Sequence, residues 1–344
     1  MAKINLLTIH WGKCYGAVMQ TYATCQLLEK AGHEVCVINL IHPKIKEAYR
    51  NPRKWVDLYR EFQFFIFKYK FFSKLSKKVY KVDYSKLPDA DYYVVGSDQV
   101  WNKDITSPFY LDYYLSFVPN SKKRIALSSS FGKAEWNENY DLTKDIYAEL
   151  MKFHAISIRE DSGKEILSKT FDIQATQLLD PTLGYGQFES LLKHRKRKKQ
   201  IFPFLFQNTK ESKDIVTLCS EYLKIPIYRS TRFKSYFKNG PLDWLSNIAN
   251  SDFIITDSFH GLALSLIFNK QFIVLCADLK KFTRLQSLLR LFNLEERFIS
   301  SYSDLSLRKN ILYKKIDYTT INEILKNEQH RYELFIFQKI HHNA

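Results

Sequence analysis

Short apolar runs alternate with stretches of helical period along most of the chain. The first apolar run covers residues 4–9 and leads into a turn with two glycines. A helical pattern over 17–31 and a second apolar run over 33–40 follow. A strand, a helix and a strand within about 40 residues predict a βαβ unit and therefore a parallel sheet.

The same alternation continues through the rest of the chain. Further strands are predicted over 91–95, 125–130, 155–160, 201–206, 225–228, 252–256 and 272–275. Helices are predicted from 162, near 212–223, over 241–249, from 260 and over 322–340. This order predicts an α/β protein with two Rossmann-like domains, residues 1–178 and 179–321, and a last helix in 322–344 that packs back on the first domain.

Two segments depart from this alternation because they are rich in lysine. In residues 53–82 aromatic and lysine side chains interleave, which predicts a basic aromatic helix or helix pair. Such a helix packs on its own domain, or it contacts an anionic membrane surface or a lipid-linked acceptor. Residues 193–199 form a dense basic run, best interpreted as a solvated loop, with attraction to anionic lipid as the alternative.

Two polar turns directly follow predicted buried strands. Residues 96–102 read Gly-Ser-Asp-Gln-Val-Trp-Asn, and residues 256–261 read Thr-Asp-Ser-Phe-His-Gly. Open α/β sheets bind ligands at the carboxyl ends of their strands, and the first amides of a following helix attract phosphate. The alternative for the second turn is that Asp257 or Ser258 only caps the helix and His260 is a satisfied polar residue.

Composition and charge narrow the possible partners. The chain has 344 residues, 45% of them hydrophobic, and a net charge of +16. A strong positive charge favours nucleic acid, an anionic membrane or a phosphorylated substrate. Specific nucleic-acid binding is disfavoured, because no known RNA- or DNA-binding module is present and the basic residues are dispersed.

The sequence also predicts a location. No apolar stretch reaches the roughly 18 residues that cross a bilayer, and the first residues lack the pattern of a signal peptide. The five cysteines are scattered, without the spacing of a zinc site or a disulfide framework. We therefore expect a protein of the reducing cytoplasm, or a peripheral one at the inner face of the plasma membrane.

Several separated motifs, taken in order, resemble the polysaccharide pyruvyl transferase family. The residues of these motifs and their order along the chain match those of the family, from about residue 9 to about residue 297. The motifs are Tyr15-Gly16-Ala17, Gln20-Thr21-Tyr22-Ala23, Gly96 to Asn102, Ser130-Phe131-Gly132, Arg159-Glu160, Asp180 to Leu183, Thr256 to Gly261, and Arg284 with Leu288 and Leu289. One departure is Cys14, where members of the family often carry Asn.

The resemblance implies a fold and an activity. The fold would be two Rossmann-like domains facing across a cleft, similar to the two-domain GT-B glycosyltransferases. The activity would be transfer of pyruvate from phosphoenolpyruvate onto two hydroxyls of a sugar, with release of phosphate and no further cofactor. The product would be a cyclic ketal in a capsular, exopolysaccharide or cell-wall glycan precursor, whose acceptor is often lipid-linked.

The donor site needs positive charge, because phosphoenolpyruvate carries a phosphate and a carboxylate. We expect Arg159 and Arg284 to form ion pairs with it, and Ser258, His260 and Gly261 to supply a helix terminus. His260 is the expected proton donor to the methylene carbon or to the departing phosphate, since histidine ordinarily titrates near neutral pH.

The acceptor site is expected on the first domain. Asp98 is the candidate base for a sugar hydroxyl, and Gln99 and Asn102 are candidates to orient the sugar. His10 and Tyr15, beside the end of the first strand, are candidates for acceptor contact. No metal is expected, because the acidic residues near the motifs are not grouped as ligands.

Each of these assignments has a structural alternative. The alternative for Asp98 is that it binds only the backbone amides of its own turn, and the alternative for Arg159 is that it pairs with Glu160 or another carboxylate. Trp101 favours packing over sugar stacking, and Arg284 fits a solvated helix face. The competing enzyme function is a nucleotide-sugar glycosyltransferase of the same two-domain shape.

Overall fold

The computed structural model describes residues 1–43, 58–192, 198–228, 240–276 and 282–340. The chain divides into two compact units. The first comprises Met1–Tyr185 with Asn327–Ala344, and the second comprises Gly186–Lys326. The sequence predicts the boundaries after residues 178 and 321, whereas the two units divide after residues 185 and 326.

The first unit contains a seven-stranded parallel sheet. Its strands are β1 (Lys3–Leu7), β2 (Glu34–Val37), β3 (Lys74–Leu75), β4 (Tyr92–Val95), β5 (Lys123–Ser129), β6 (Ala155–Ile158) and β7 (Thr176–Gln177). They lie in the order β3-β2-β1-β4-β5-β6-β7, and every neighbouring pair is parallel. All four residues of β4 are buried, as expected for a central strand covered on both faces.

The helices of the first unit connect these strands. They are α1 (Tyr15–Lys30), α2 (Leu58–Phe71), α3 (Lys103–Thr106), α4 (Tyr140–Leu150), α5 (Asp161–Phe171) and α6 (Pro181–Tyr185). Single 3₁₀ turns lie at Tyr84–Lys86 and Leu111–Tyr114. The core between sheet and helices is strongly aromatic, and Trp101 is stacked on Tyr114 with ring centroids 5.2 Å apart.

The second unit contains a four-stranded parallel sheet. Its strands are β8 (Lys198–Phe204), β9 (Ser251–Thr256), β10 (Gln271–Leu275) and β11 (Phe298–Ile299), in the order β11-β10-β9-β8. Its helices are α7 (Lys210–Leu223), α8 (Pro241–Asn250), α9 (Phe259–Ile267), α10 (Thr283–Leu291) and α11 (Tyr302–Leu307). Single 3₁₀ turns lie at Glu189–Leu191, Glu295–Arg297 and Lys309–Leu312.

The last helix, α12 (Tyr318–Lys339), ends on the first unit. Glu333 forms a salt bridge with Lys30 of α1 at 2.8 Å, and Gln329 donates a hydrogen bond to the carbonyl of Leu183. The ring of Tyr332 is fully buried against Gly184, where a Cβ atom would lie 2.8 Å from it. Glycine at 184 therefore lets the terminal helix approach α6 closely.

The predicted α/β class with two parallel sheets is confirmed, but some predicted elements are wrong. Residues 225–228 form one isolated bridge, Ile201 with Ile227, instead of a strand. Within the described part of 53–82, helix α2 covers 58–71 and ends before residues 74–75, which pair with the edge of β2. Residues 53–57 lie outside the described residues.

The basic run at 193–199 is also revised in part. Residues 193–197 lie outside the described residues, but Lys198 and Lys199 begin β8 instead of standing in a loop. Of the helices that the structure describes, none is long and apolar enough to cross a membrane.

Cys14, where the sequence departs from the family motif, occupies the N-cap of α1. Its backbone is extended, as an N-cap requires, but its side chain makes no capping hydrogen bond. Asparagine at this position would accept a hydrogen bond from the first turn of α1, which thiols do poorly.

We predict that Cys14→Asn raises the stability of the first unit by roughly 0.5–2 kcal/mol, the usual value of an N-cap side chain. Urea denaturation under reducing conditions measures the change. Cys14→Ala is the matched control and gives no such gain. Equal stability of the two variants would contradict the capping argument.

Candidate functional site

The carboxyl edge of the first sheet gathers the motif turns at 96–102, 128–132 and 159–160. They follow β4, β5 and β6, which are neighbours in the sheet. Because parallel strands end at the same edge, residues distant in sequence meet there. The motif residues therefore form one connected set of contacts within the first unit.

Gly96 is fixed by the close approach of β1. A Cβ atom at Gly96 would lie 2.8 Å from the Cβ of Thr8, so any larger residue would separate the two strand ends. The Thr8 hydroxyl donates to the carbonyl of Ser97, and Gln20 of α1 donates to the Thr8 hydroxyl at 2.9 Å. Gln20 thus holds the end of β1 against the Gly96-Ser97 turn.

Asp98 stands at the end of β4 in a left-handed backbone conformation, with φ of 75°. This conformation is uncommon for residues other than glycine, although aspartate tolerates it, and such backbone outliers concentrate at functional sites. Its Oδ1 accepts the amide of Gln99 at 2.8 Å. Within the described residues, no donor is hydrogen-bonded to Oδ2, and the carboxylate interacts electrostatically with the buried Arg159.

Gln99 and Asn102 are held by each other and by the following turn. Asn102 donates from its amide to Gln99 Oε1 at 3.1 Å, and its own oxygen caps α3 by accepting from Asp104. Gly132 has a φ of 64°, which favours glycine in the Ser-Phe-Gly turn, and a Cβ atom there would also displace the Gln99 side chain. Both predicted sugar-orienting residues therefore adjoin Asp98, and Asn102 is largely used as a helix cap.

Trp101 packs in the core of the first unit, as the sequence analysis favours. The ring is 1% exposed, and its Nε1 donates to the carbonyl of Tyr113. Because both its faces and its polar atom are used inside the core, Trp101 cannot stack on a sugar in this arrangement.

A buried ion network lies behind these turns. Arg159 donates to Asp180 Oδ2 at 2.7 Å, and its Nε lies 3.5 Å from Glu160 Oε2. Ser97 donates to the same oxygen of Asp180 at 2.8 Å. Glu160 in turn accepts the Ser130 hydroxyl at 2.8 Å. The network joins the ends of β4, β5, β6 and β7.

Arg159 is thus paired with Glu160 and Asp180, which is the structural alternative that the sequence analysis gave for it. Its side chain is 2% exposed and faces two carboxylates. Burial acts to lower its pKa, but the carboxylates, led by Asp180 and Glu160, outweigh burial and the pKa of Arg159 is raised. Its charge is matched inside the protein by these carboxylates, so Arg159 helps to hold the strand ends together.

His10 is also buried instead of being presented to an acceptor. Its Nδ1 lies 3.0 Å from the carbonyl of Thr8, and its Nε2 lies 3.3 Å from Asn39 Oδ1. Burial, with the nearby charge of Lys68, lowers the pKa of His10 to about 4, so the ring is neutral at pH 7. A neutral ring that donates to Thr8 accepts at Nε2, which requires Asn39 to present its NH₂ group there.

Tyr15 begins α1 beside the end of β1 and contacts α2. Its ring centroid lies 5.1 Å from that of Phe64, and the guanidinium of Arg60 lies 5.2 Å from its centre. The side chain is half-buried, so part of it stays accessible at the carboxyl edge. Tyr15 remains a candidate for acceptor contact, and it also anchors α2.

The second unit builds its turn at the end of β9 from different contacts. Asp257 accepts the backbone amides of Phe206 and Gln207, at 2.7 and 2.8 Å. Thr256 donates its hydroxyl to the carbonyl of Phe204. Asp257 therefore ties the end of β8 to the end of β9 and does not cap the helix.

Ser258 is the N-cap of α9. Its Oγ accepts the amide of Gly261 at 3.3 Å, as the sequence alternative expects. A Cβ atom at Gly261 would collide with Thr256 Oγ1, so only glycine lets the first turn of α9 lie against the end of β9. The cap and the glycine together fix the start of the helix.

His260 lies in the first turn of α9 and is 7% exposed. The first turn of α9 contains no acidic residue, whereas α7, whose N-cap is Thr209 beside the same edge, carries Glu211 in its first turn. Because the positive end of a helix dipole favours anions and a carboxylate opposes them, α9 is the better phosphate site of the two.

Arg284 is the second residue of α10 and is half-buried, so it is not simply a solvated surface residue. It lies in the second unit with Ser258, His260 and Gly261. The other predicted site residues belong to the first unit, where Asp98, Gln99, Asn102 and Arg159 share one edge. No group of three or more His, Cys, Asp or Glu side chains in the described ranges is arranged to hold a metal ion.

Asp180 and Asp257 are the organising residues whose roles sequence reasoning missed. Each aspartate follows a strand end and bonds to other strand ends: Asp180 to Arg159 after β6 and Ser97 after β4, and Asp257 to the segment after β8. The available signal was the position of each aspartate directly after an apolar run, since aspartate at such ends commonly accepts backbone or hydroxyl protons.

Comparison with known proteins gives a family and a fold. A family model described as Polysaccharide pyruvyl transferase matches residues 15–275, most of the chain. A search of curated proteins gives no significant match.

Solved structures of similar fold include two enzymes named for sugar-nucleotide substrates. A protein designated UDP-N-acetylglucosamine 2-epimerase from Listeria monocytogenes is 10% identical, with a TM-score of 0.50, over 94% of this chain and 90% of that one. The UDP-GlcNAc 2-epimerase of Methanocaldococcus jannaschii is 11% identical, with a TM-score of 0.51, over 97% and 99%. At such low identity the likeness supports the GT-B-like fold class alone.

We predict that Asp180→Asn destabilises the first unit by about 3–5 kcal/mol, because it leaves Arg159 buried beside an uncharged partner. Urea denaturation measures the loss. Asp89→Asn is the control, since Asp89 is an exposed partner of Lys122 and should change stability little. Stability near that of the wild type in Asp180→Asn would show that the network does not hold the edge.

We also predict an acid-sensitive contribution from His10. Its pKa is about 4 when folded and 6.5 ordinarily, so the unfolded chain takes up the proton first as pH falls. Stability from this group is therefore full above about pH 6.5 and is lost as pH falls toward about 4.

Thermal midpoints recorded from about pH 7.5 to about pH 4.5 test this. His10→Gln should flatten the pH dependence, whereas His330→Gln, at an exposed position of α12, should leave it unchanged. An unaltered slope in His10→Gln would refute the assignment.

Proposed function

This chain belongs to the polysaccharide pyruvyl transferase family, and we propose that it transfers pyruvate from phosphoenolpyruvate onto two hydroxyls of a sugar. The product is a cyclic ketal on a capsular, exopolysaccharide or cell-wall glycan precursor, and phosphate is released. The observation that carries the proposal is the capped, glycine-tightened start of α9, with His260 in its first turn.

The start of α9 suits the phosphate of phosphoenolpyruvate. Ser258 and Gly261 fix the helix terminus, and its first turn carries no opposing carboxylate. Helix amides and the dipole favour the dianion, and Arg284 in the same unit supplies a positive charge for phosphate or carboxylate. Arg159 is left out of this assignment because its charge is matched by Asp180 and Glu160.

The chemistry needs one proton on carbon and one on phosphate. The first sugar hydroxyl adds to C2 of phosphoenolpyruvate, its proton is removed, and the methylene carbon receives a proton to become a methyl group. The second hydroxyl then displaces phosphate at C2, and the leaving group takes the remaining proton. Atoms and charges balance with phosphoenolpyruvate and a diol alone.

His260 is the proposed proton donor, to the methylene carbon or to the departing phosphate. Its place in the first turn of α9 puts it beside the proposed phosphate site, and burial excludes much competing water. A positioned general acid of this kind typically contributes 10²–10⁴-fold to a rate, so roughly that loss is expected without it.

Asp98 is the proposed base for the sugar hydroxyl. One carboxylate oxygen is held by the Gln99 amide, which fixes the direction of the other. Gln99 and Asn102 beside it offer amide groups to neighbouring hydroxyls, with Asn102 limited by its role as a cap. His10 is left out of acceptor contact because its ring is buried and bonded within the unit.

The competing function is transfer of a sugar from a sugar nucleotide. The structures of similar fold carry names that refer to UDP-N-acetylglucosamine, and such donors also present phosphate to a helix terminus. Release of a nucleoside diphosphate from a UDP-sugar, with no phosphate from phosphoenolpyruvate, would favour that function.

We predict that phosphate release from phosphoenolpyruvate depends on a sugar acceptor and falls by roughly 10²–10⁴-fold in His260→Ala. The measurement uses galactose-, glucose- and N-acetylmannosamine-terminated lipid-linked acceptors. His330→Ala, at an exposed position, is the matched control and retains activity. Near-normal turnover in His260→Ala would remove His260 from the mechanism.

For the acceptor side, Asp98→Asn should lower kcat while binding of phosphoenolpyruvate, followed by calorimetry, is unchanged. Asp104→Asn is the control, because that carboxylate is exposed near the same turn. A full rate in Asp98→Asn would assign the base to another group.

A further inference from the structure

Helix α2 has apolar side chains on two opposite faces. A surface helix ordinarily has one such face, which packs on the core, and a polar face toward solvent. In α2 the second apolar face points outward, so its residues require a separate explanation.

The inner face of α2 packs on α1. Phe64 and Phe67 are each 2% exposed, and the ring of Phe67 lies 6.3 Å from that of Tyr22. Phe64 contacts Tyr15 at the start of α1. Through these contacts the inner face packs the helix on the first unit.

The outer face carries a stripe that the core does not use, which we name the outer stripe. Its members are Phe62, Phe65, Ile66 and Tyr69, exposed by 54%, 46%, 42% and 54%. At helical spacing these four residues fall within a sector of about 100°. Phe65 and Tyr69 lie against each other, with ring centroids 4.3 Å apart. A contiguous exposed aromatic patch of this kind marks an interaction surface.

The charges around the outer stripe identify the kind of partner. Residues 58–82 contain seven basic residues and one acidic residue, Glu61, which forms a salt bridge with Lys13. The lysines that follow the stripe and are exposed are Lys70, Lys74, Lys77, Lys78 and Lys81. Aromatic rings flanked by lysines match the interface of an anionic bilayer, where rings enter the headgroup region and lysines meet lipid phosphate.

A second exposed apolar stripe on the first unit differs from the outer stripe in the charge of the residues beside it. On and just after α4, Tyr140, Tyr147 and Met151 are exposed by 79%, 44% and 60%. The exposed charged neighbours there include Asp141, Lys144 and Asp145, a set with a net negative charge that an anionic surface repels. The two stripes are similar in apolar content and opposite in flanking charge.

We propose that the outer stripe and its flanking lysines bind the surface of an anionic lipid bilayer. Helix α2 is tied to the turn after β1 by Tyr15 and by the Lys13–Glu61 salt bridge, 3.2 Å long. Bilayer binding therefore brings the carboxyl edge of the first sheet near the lipid headgroups. If the proposed function holds, a lipid-linked sugar meets Asp98 there, a consequence that rests on that function.

Vesicle co-sedimentation of the full chain, without phosphoenolpyruvate or acceptor, tests the surface by itself. Wild type should bind phosphatidylcholine vesicles that contain phosphatidylglycerol, bind pure phosphatidylcholine weakly, and lose binding as salt is raised. The triple variant Phe62→Ser, Phe65→Ser, Tyr69→Ser should lower the partition coefficient at least about tenfold. The control variant Tyr140→Ser, Tyr147→Ser, Met151→Ser should bind as wild type does.

Two further measurements keep the proposal falsifiable if the triple variant folds poorly. Phe62→Trp should show tryptophan quenching by brominated lipids beyond the wild-type background. Changing Lys70, Lys74, Lys77 and Lys78 to Gln should lower binding and remove most of its salt dependence.

Three results would overturn the proposal. These are no binding of wild type to anionic vesicles, no added quenching in Phe62→Trp, or binding by the triple variant equal to that of the control. A fourth result would come from sedimentation velocity. If wild type is a dimer and the triple variant is a monomer, while vesicle binding is unchanged, the outer stripe joins two copies of the chain instead. Phosphate release from soluble acceptors is scored separately, so failure of the transferase assignment leaves this result intact.

Discussion

The buried pairing of Arg159 with Asp180 is the contact on which the first unit's candidate site depends. Four parallel strands end near it, and strand ends carry backbone groups that no sheet partner satisfies. Asp180 accepts both the guanidinium and the Ser97 hydroxyl, and Glu160 accepts Ser130. The turn that presents Asp98 is thus supported from behind by a network with hardly any exposure to solvent. Such a pair contributes little net stability, but losing one partner costs much.

In the second unit, uncharged backbone amides hold the strand ends together in place of an ion pair. Asp257 binds two backbone amides of the segment after β8, and Gly261 allows α9 to lie against Thr256. In both units most motif residues build the edge, and only a few side chains remain to meet ligands. This division explains why whole motifs, instead of single residues, carry the family resemblance: a change at Gly96 or Gly261 would displace the strand or helix that presents Asp98 or His260.

The long elements of the fold were predictable from periodicity, and the short ones were not. Strands such as β4 and β9 are continuous apolar runs that end in polar turns, a pattern legible in sequence. The two-residue strands β3, β7 and β11 have no period to detect, and pairing at a sheet edge is what defines them. Candidate residues could be placed at strand ends, but their burial and pairing depend on contacts far apart in sequence. Arg159 and His10 show this, since each is used by partners that only the folded chain brings near.

The proposed reaction yields a pyruvate ketal on a sugar, and identification of the product tests this proposal most directly. Phosphoenolpyruvate labelled with ¹³C at C2 would be incubated with the chain and an accepted sugar, and the purified glycan examined by NMR and mass spectrometry. The account predicts a labelled quaternary carbon bonded to two sugar oxygens and a methyl group, with a pyruvate-sized gain in mass. A label that keeps its double bond in an enol ether, or a glycan that gains a whole sugar from a sugar nucleotide instead, would contradict it.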